Sequence, residues 1–261
     1  MEKRKIALVL GGGGARGIAH IGAIEALEAA GFEIAAVAGT SMGALVGGMY
    51  AAGCLEEFRA WLCSLDRYKV WSMVDLAFST EGFVKGDRVM RRLRHMVRET
   101  RIEHLRLPFA AVAADLSTGR EVVFDHGSLF DAIRASISIP SVFRPVRLGG
   151  MVLVDGGTVN PVPVNRVVRR PGDLLVAVDV SAPFSGPRRS LNHYRQLTCS
   201  SEIMMQHITR LMCRSCPPDL LVEMPCDRFD VFEFYRAAEI SEAGRRLTDE
   251  ALMRHLAPVE G

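Results

Sequence analysis

The apolar positions of this chain follow two repeating patterns. Compact, mostly apolar runs at 5–10, 34–38, 108–114, 151–154, 174–180 and 220–224 are too short for stable helices, and each stops at glycine, proline or a polar residue. Such runs predict strands buried on both faces of a sheet. Between them the spacing lengthens. Ile18, Ile21, Ile24 and Leu27 keep helical periodicity, with Gly31 as a natural stop. Residues after 43 and over 237–256 also predict helices, and 120–124 predicts a strand paired in a hairpin with 108–114 through Ser117-Thr118-Gly119. Pro161 and Pro163 predict an extended stretch leading into a further helix, and 181–190 a loop or lid. Strand alternating with helix predicts an α/β fold with a mostly parallel central sheet.

Two of the predicted strands run into glycine-rich turns. The strand 34–38 enters Gly39-Thr40-Ser41-Met42-Gly43 and then a helix. In that setting Gly-x-Ser-x-Gly forces the serine onto a sharp turn with its hydroxyl exposed beside a helix N-terminus, the position of a nucleophile. The strand 5–10 enters Gly11-Gly12-Gly13-Gly14-Ala15-Arg16-Gly17. Successive glycines leave backbone N–H groups aimed into one concavity, suited to an anion or a developing oxyanion. Gly12-x-Gly14-x-x-Gly17 also fits a dinucleotide fingerprint, but the acid such a site needs after the next strand is absent, since Glu33 stands at that strand's start. The Gly-Lys-Ser/Thr of a phosphate-gripping loop is absent as well.

A serine hydroxyl needs a base. The seven histidines are 20, 95, 104, 126, 193, 207 and 255. The order Ser…Asp…His would require one of the last three, and none follows a strand or sits in a glycine-bearing loop. His20 is read as packing or capping locally. A carboxylate fits better: the run 151–154 stops at Asp155-Gly156-Gly157, where an acid followed by two residues without side chains can approach another backbone closely. A dry site there would raise its pKa toward that of a useful base.

Taken together, Gly12–Gly17, Gly39–Gly43 and Asp155–Gly157, in this order and spacing, resemble the patatin-like phospholipase family, and 136–143 is similar to the segment preceding the family's aspartate loop. The resemblance runs from about Lys5 to Asp179. It implies a three-layer α/β/α patatin-like fold in a single domain over 1–261, with a motif core of about 5–180 and an extension at about 181–261 that packs on the core or lids it. It further implies a lipid acyl hydrolase with Ser41 as nucleophile, Asp155 as base, Gly12, Gly13 and Gly14 lining an oxyanion hole, and Arg16 as the loop's basic residue. Gly17, Gly39, Gly43, Gly156 and Gly157 complete the motifs. No metal or cofactor is implied. A broader carboxylesterase or thioesterase acting on soluble esters remains open, as does a non-catalytic regulatory or nucleotide-binding module.

Composition adjusts this picture only slightly. With 49% apolar and 24% charged residues the chain reads as globular, and a net charge of +2 makes no case for nucleic acid. Six cysteines without framework spacing fit a reducing, cytoplasmic setting, and Cys213-x-x-Cys216 before two prolines reads as incidental. No run reaches membrane-spanning length. The stretch over 87–98 sets Val89, Leu93, Met96 and Val97 on one helical face and arginines on the other, which predicts either a peripheral contact with anionic lipid or an ordinary half-buried helix. Residues 61–78, with Tyr68 and Trp71, form a second candidate contact surface or part of the core.

Overall fold

The strand runs assemble into one eight-stranded sheet. The computed structural model describes residues 4–73, 87–140, 142–184 and 193–256. Its order is β1 (Lys5–Leu10), α1 (Ala19–Ala29), β2 (Glu33–Thr40), α2 (Met42–Ala51), α3 (Leu55–Cys63), α4 (Arg67–Met73), α5 (Asp87–Val97), β3 (Phe109–Asp115), β4 (Arg120–Phe124), α6 (Leu129–Ser136), β5 (Val146–Leu148), β6 (Met151–Asp155), β7 (Leu174–Ala182), α7 (His193–Ser215), β8 (Leu220–Pro225) and α8 (Ala237–Leu256). Across the sheet the strands run β5-β6-β3-β2-β1-β7-β8, with β4 paired to β3. The pairs from β3 to β8 through β2, β1 and β7 are parallel, while β4, β5 and β6 pair antiparallel.

Alternation along β1 shows how the layers form. Ile6, Leu8 and Leu10 point into the large core under α1, α2, α6 and α8, while Ala7 and Val9 point to the opposite face. Among the described residues that second face is covered by Val162, Val164, Met212 and Cys213 of α7, and Cys216 just beyond it. The cysteine pair is thus packing material, half-buried and unbridged. The helix expected after Pro163 does not form: 161–167 runs as bends and a turn, with Val164 N–H donating to Val162 O at 2.8 Å, and Val162 and Val164 pack against Ala7 and Val9 as part of the covering layer.

The crossing of α1 and α8 is closer than side chains allow. A Cβ on Gly22 would lie 1.9 Å from the Ser241 carbonyl oxygen, and one on Gly244 would lie 2.0 Å from that of Ala19. β8 extends the sheet beyond β7, and α8 packs on α1 and β8.

On α5 the apolar stripe faces inward: Leu93, Met96 and Val97 are buried and Val89 packs on the core, leaving Arg91, Arg92, Arg94 and Arg98 exposed. Its most apolar positions thus go into the core, while Val89 and Met90 are half-buried. Trp61 packs on Phe58 with ring centroids 5.8 Å apart, whereas Tyr68 is exposed. Residues 74–78 of the second candidate surface, the Trp71 side chain, Ser141, and 185–190 of the expected lid lie outside the described residues; Ser181 and Ala182 belong to β7.

Candidate functional site

The sheet brings two strand ends together head-on. β4 pairs along one edge of β3 over Ala111–Asp115. On the other edge, β2 runs parallel as far as Thr40 opposite Val112, and β6 comes in antiparallel from Leu153 to Asp155, which faces Ala113. The carboxyl ends of β2 and β6 therefore face each other across a single step of β3, with Ser41 and Asp155 at that junction. Sequence patterning gave the strands but not this arrangement, because the direction of β6 depends on the β5 hairpin that precedes it.

Ser41 turns out of the strand with φ 56° and ψ −124°, a conformation that L residues other than glycine rarely adopt. Neighbouring packing holds it there. α2 starts so close to β1 that a Cβ on Gly43 would sit 2.0 Å from the Leu10 carbonyl oxygen, and a Cβ on Gly39 would strike the Gly43 backbone at 2.4 Å. Gly17 lies against the Met42 side chain. The Ser41 N–H, which has left the β ladder, donates to Ser136 Oγ at 2.8 Å, and Ser136 Oγ donates to the Val112 carbonyl at 2.6 Å. The Ser136 hydroxyl thus bridges the gap where the two strand ends fail to meet. Ser136 opens the 136–143 segment that the sequence marked by resemblance, but its bridging role exists only once α6 is placed on β3.

Ser41 Oγ donates to Asp155 Oδ2 at 2.5 Å, and Gly157 N–H donates to Asp155 Oδ1 at 2.8 Å. Both side chains are buried. Gly156 passes so close to Val112 that a Cβ would meet its carbonyl oxygen at 2.4 Å. Burial pushes the Asp155 carboxyl up from 3.8 to about 6, against the opposing pull of the Ser41 and Gly157 hydrogen bonds. Among the described residues no histidine hydrogen-bonds either side chain, and no group of three or more metal-binding side chains occurs. His207 and His255 are exposed on α7 and α8.

The glycine loop lies beside Ser41, and a Cβ on Gly12 would come 3.3 Å from the Ser41 Cβ. Its peptide planes are held from outside. Gly11 O accepts from His20 Nε2 at 2.8 Å, Gly12 O from Ser181 Oγ at 2.9 Å, and Gly13 O from Arg16 Nε at 3.2 Å. A carbonyl can only accept, so His20 is the neutral Nε2–H tautomer; burial lowers its pKa to about 4, and its Nδ1 has no partner. The Gly12 N–H is engaged by Pro161 O at 2.9 Å, while the N–H groups of Gly13 and Gly14 have no acceptor among the described residues. Fixing the Gly12 and Gly13 carbonyls on one side turns these two N–H groups to the other.

Arg16 is buried and closes the outer ring. It donates to Cys226 O at 2.5 Å and Ser181 Oγ at 3.3 Å, and pairs with Glu202 of α7 at 3.3 Å. Behind it, Asp179 accepts from Ser181 N–H at 2.8 Å, and its carboxyl is pushed up to about 6 mainly by burial. Ser181 and Glu202 lie more than 160 positions from the loop they support, and nothing in the local sequence marks them.

Comparison with known proteins gives this site a family. An uncharacterized NTE family protein of Mycobacterium tuberculosis is 43% identical over 185 residues, covering 71% of this chain and 51% of its own. Lysophospholipase nte1 of Emericella nidulans is 28% identical over 282 residues, covering 96% of this chain and 18% of its own. The chain spans about half the length of the first of these relatives. Two solved structures share the fold. VipD from Legionella pneumophila aligns with TM-score 0.51 at 15% identity, over 98% of this chain and 67% of that one. The heterodimeric ExoU–SpcU complex from Pseudomonas aeruginosa gives TM-score 0.52 at 18% identity, over 97% and 52%. The sequence pattern of the family described as patatin-like phospholipase matches residues 8–168, which takes in every motif of the site, and the chain belongs to that family.

Proposed function

We propose that the chain is a serine lipid acyl hydrolase acting through a Ser41–Asp155 dyad. The observation that carries this reading is the 2.5 Å hydrogen bond from Ser41 Oγ to a buried carboxylate whose pKa lies near 6. A carboxylate of ordinary pKa is a weak base toward a hydroxyl, and burial makes this one stronger while leaving it ionised at neutral pH. Asp155 Oδ2 takes the Ser41 proton as Oγ bonds to the ester carbonyl carbon. The Gly13 and Gly14 N–H groups receive the tetrahedral oxyanion, while Gly12, its own N–H engaged, shapes the wall beside Ser41. Collapse breaks the bond to the leaving alcohol, which receives the proton from Asp155. A water molecule, deprotonated by the same carboxylate, then attacks the acyl-serine carbonyl; collapse breaks the bond to Ser41 Oγ, which takes the proton back from Asp155, and the fatty acid is released.

Membership in the patatin-like phospholipase family and the likeness to a lysophospholipase support a lipid ester as the substrate. A fluorophosphonate should label the wild type and fail to label Ser41→Ala, and the same substitution should abolish fatty-acid release from phospholipid vesicles. Labelling that survives in Ser41→Ala would remove the reading. Turnover confined to short soluble nitrophenyl esters would redirect it to a carboxylesterase.

A further inference from the structure

The geometry points to α7 as the surface on which the protein docks to lipid bearing anionic headgroups. The helix has two unlike faces. Its inner face carries Cys199, Glu202, Gln206, Thr209 and Cys213 against the sheet and the glycine loop. Its outer face, repeating at three to four residues, exposes Ile203, Met204, His207, Arg210, Leu211 and Arg214. Ile203, Met204 and Leu211 are 47%, 59% and 63% exposed, although apolar side chains on a helix that caps a sheet ordinarily turn inward.

Charge selects the occupant. Residues 193–215 hold three arginines and a single acid, and that acid, Glu202, is turned in to pair with Arg16. Arg210 and Arg214 have no carboxylate partner among the described residues. Exposed Ile, Met and Leu interleaved with Arg, on a face without a carboxylate, fit an interface where apolar groups enter the acyl boundary and cations meet phosphates. A protein partner recognised through those arginines would have to bring acids of its own to each of them. A bilayer supplies apolar depth and negative headgroups together.

The face is continuous with the site. Met205 Sδ lies 3.3 Å from where a Gly157 Cβ would stand, Glu202 holds Arg16, and Gln206 Nε2 donates to Ser181 O at 3.1 Å. Residues 202 and 205 touch the glycine and aspartate loops and 206 the end of β7, while 203 and 204, between them, face solvent. Phe232, 43% exposed, follows Val231, whose carbonyl accepts from Ala15 N–H at 2.9 Å, so a further apolar side chain stands at the rim of the glycine loop. Docking through α7 would therefore set the Ser41 region at the lipid surface. The choice of lipid as occupant rests on the proposed lipid hydrolase reading.

The test separates docking from hydrolysis by using Ser41→Ala protein, which leaves vesicles intact. It should co-sediment with vesicles of equal phosphatidylglycerol and phosphatidylcholine, less so at high salt. Adding Ile203→Ser, Met204→Ser and Leu211→Ser should weaken binding by about a hundredfold. Adding Arg210→Glu and Arg214→Glu instead should remove the preference for phosphatidylglycerol over pure phosphatidylcholine. Thermal midpoints matching the parent's exclude misfolding, and with Ser41 restored both sets should turn over a soluble short ester at the wild-type rate. A triple variant that pellets like its parent overturns the inference, as does one that changes only the oligomeric mass by light scattering, which would make α7 a contact between copies. Were the hydrolase reading wrong, ester turnover would be missing from every version while sedimentation still reported on α7.

Discussion

Asp155→Asn should destroy activity and stabilise the protein, and the stabilisation should depend on pH in a defined sense. In the folded chain the Asp155 carboxyl titrates near 6, raised chiefly by burial, against 3.8 for an unburied aspartate. A carboxyl raised on folding favours the protonated native state. Its contribution to stability is fully present below about 3.8 and is lost as pH rises through about 6. At about 1.4 kcal/mol per pKa unit, the full loss comes to about 3 kcal/mol, of which about 2.4 kcal/mol falls between pH 4 and pH 8. Asparagine is nearly isosteric with the protonated acid, can still accept from Gly157 N–H, and never has to ionise. The stability gap between variant and wild type should therefore be small at pH 4 and widen to about 3 kcal/mol at pH 8, in the variant's favour.

The comparison is a difference of differences. Asp179, whose carboxyl is also raised to about 6, titrates in both proteins and cancels, as does every other group. Urea unfolding followed by circular dichroism at pH 4, 6 and 8 would supply the numbers. On the proposed mechanism the same carboxylate is the base, so wild-type kcat for a soluble ester should rise with pH around a midpoint near 6. A gap constant across pH, or one that narrows as pH rises, would refute the claim that burial of this acid governs its basicity.

Two further outcomes follow from the geometry. His20→Phe should lower kcat by about 10- to 100-fold with little change in KM, because the Gly11 carbonyl loses its donor and the amides beyond it lose their aim; His20→Gln, which can present an N–H to the same oxygen, should recover most of it, and equal loss in both variants would mean only that the core was disturbed. Gly244→Ala should cost about 3 kcal/mol or more in urea unfolding, since its Cβ would meet the Ala19 carbonyl oxygen at 2.0 Å with backbone on both sides; Gly31→Ala, at φ 87° in open space, should lose only about 1–2 kcal/mol, and similar losses at the two positions would contradict the helix contact.

What the sequence made legible is what short-range physics determines. The strands β1, β2, β3, β7 and β8 show as apolar runs because a sheet covered on both faces leaves few positions for polar residues. Ser41 and Asp155 show because a sharp turn and a close backbone approach each demand glycine at fixed offsets, and glycine is visible in one dimension. The supports were not visible. Ser136 matters because β2 and β6 stop on the same edge of β3, and Ser181 and Glu202 because β7 and α7 return to the loop after more than 160 residues. Ser136 opens a segment the sequence marked, but neither its bridge nor the parts played by Ser181 and Glu202 can be read until the sheet order is known. The basic helix shows the converse: its periodicity is visible, but whether Leu93 and Met96 face a bilayer or a core depends on α6 and the sheet.

The same distinction explains why the site can hold its strain. Ser41 at φ 56° and, at neutral pH, a carboxyl with its pKa raised by burial each oppose folding. Neither is relieved locally, so the compensation has to come from contacts that form only with the complete fold: the helix crossing at Gly22 and Gly244, the Ser136 bridge, and the buried Arg16 that ties the glycine loop to β7, β8 and α7. Weakening those distant contacts should therefore release the site before it unfolds the core. Arg16 is the sharpest instance, because one guanidinium holds the Gly13 carbonyl and also pairs with Glu202 of α7. On the proposed docking, a shift of α7 at a lipid surface would act on the Gly13–Gly14 amides through the Glu202–Arg16 pair.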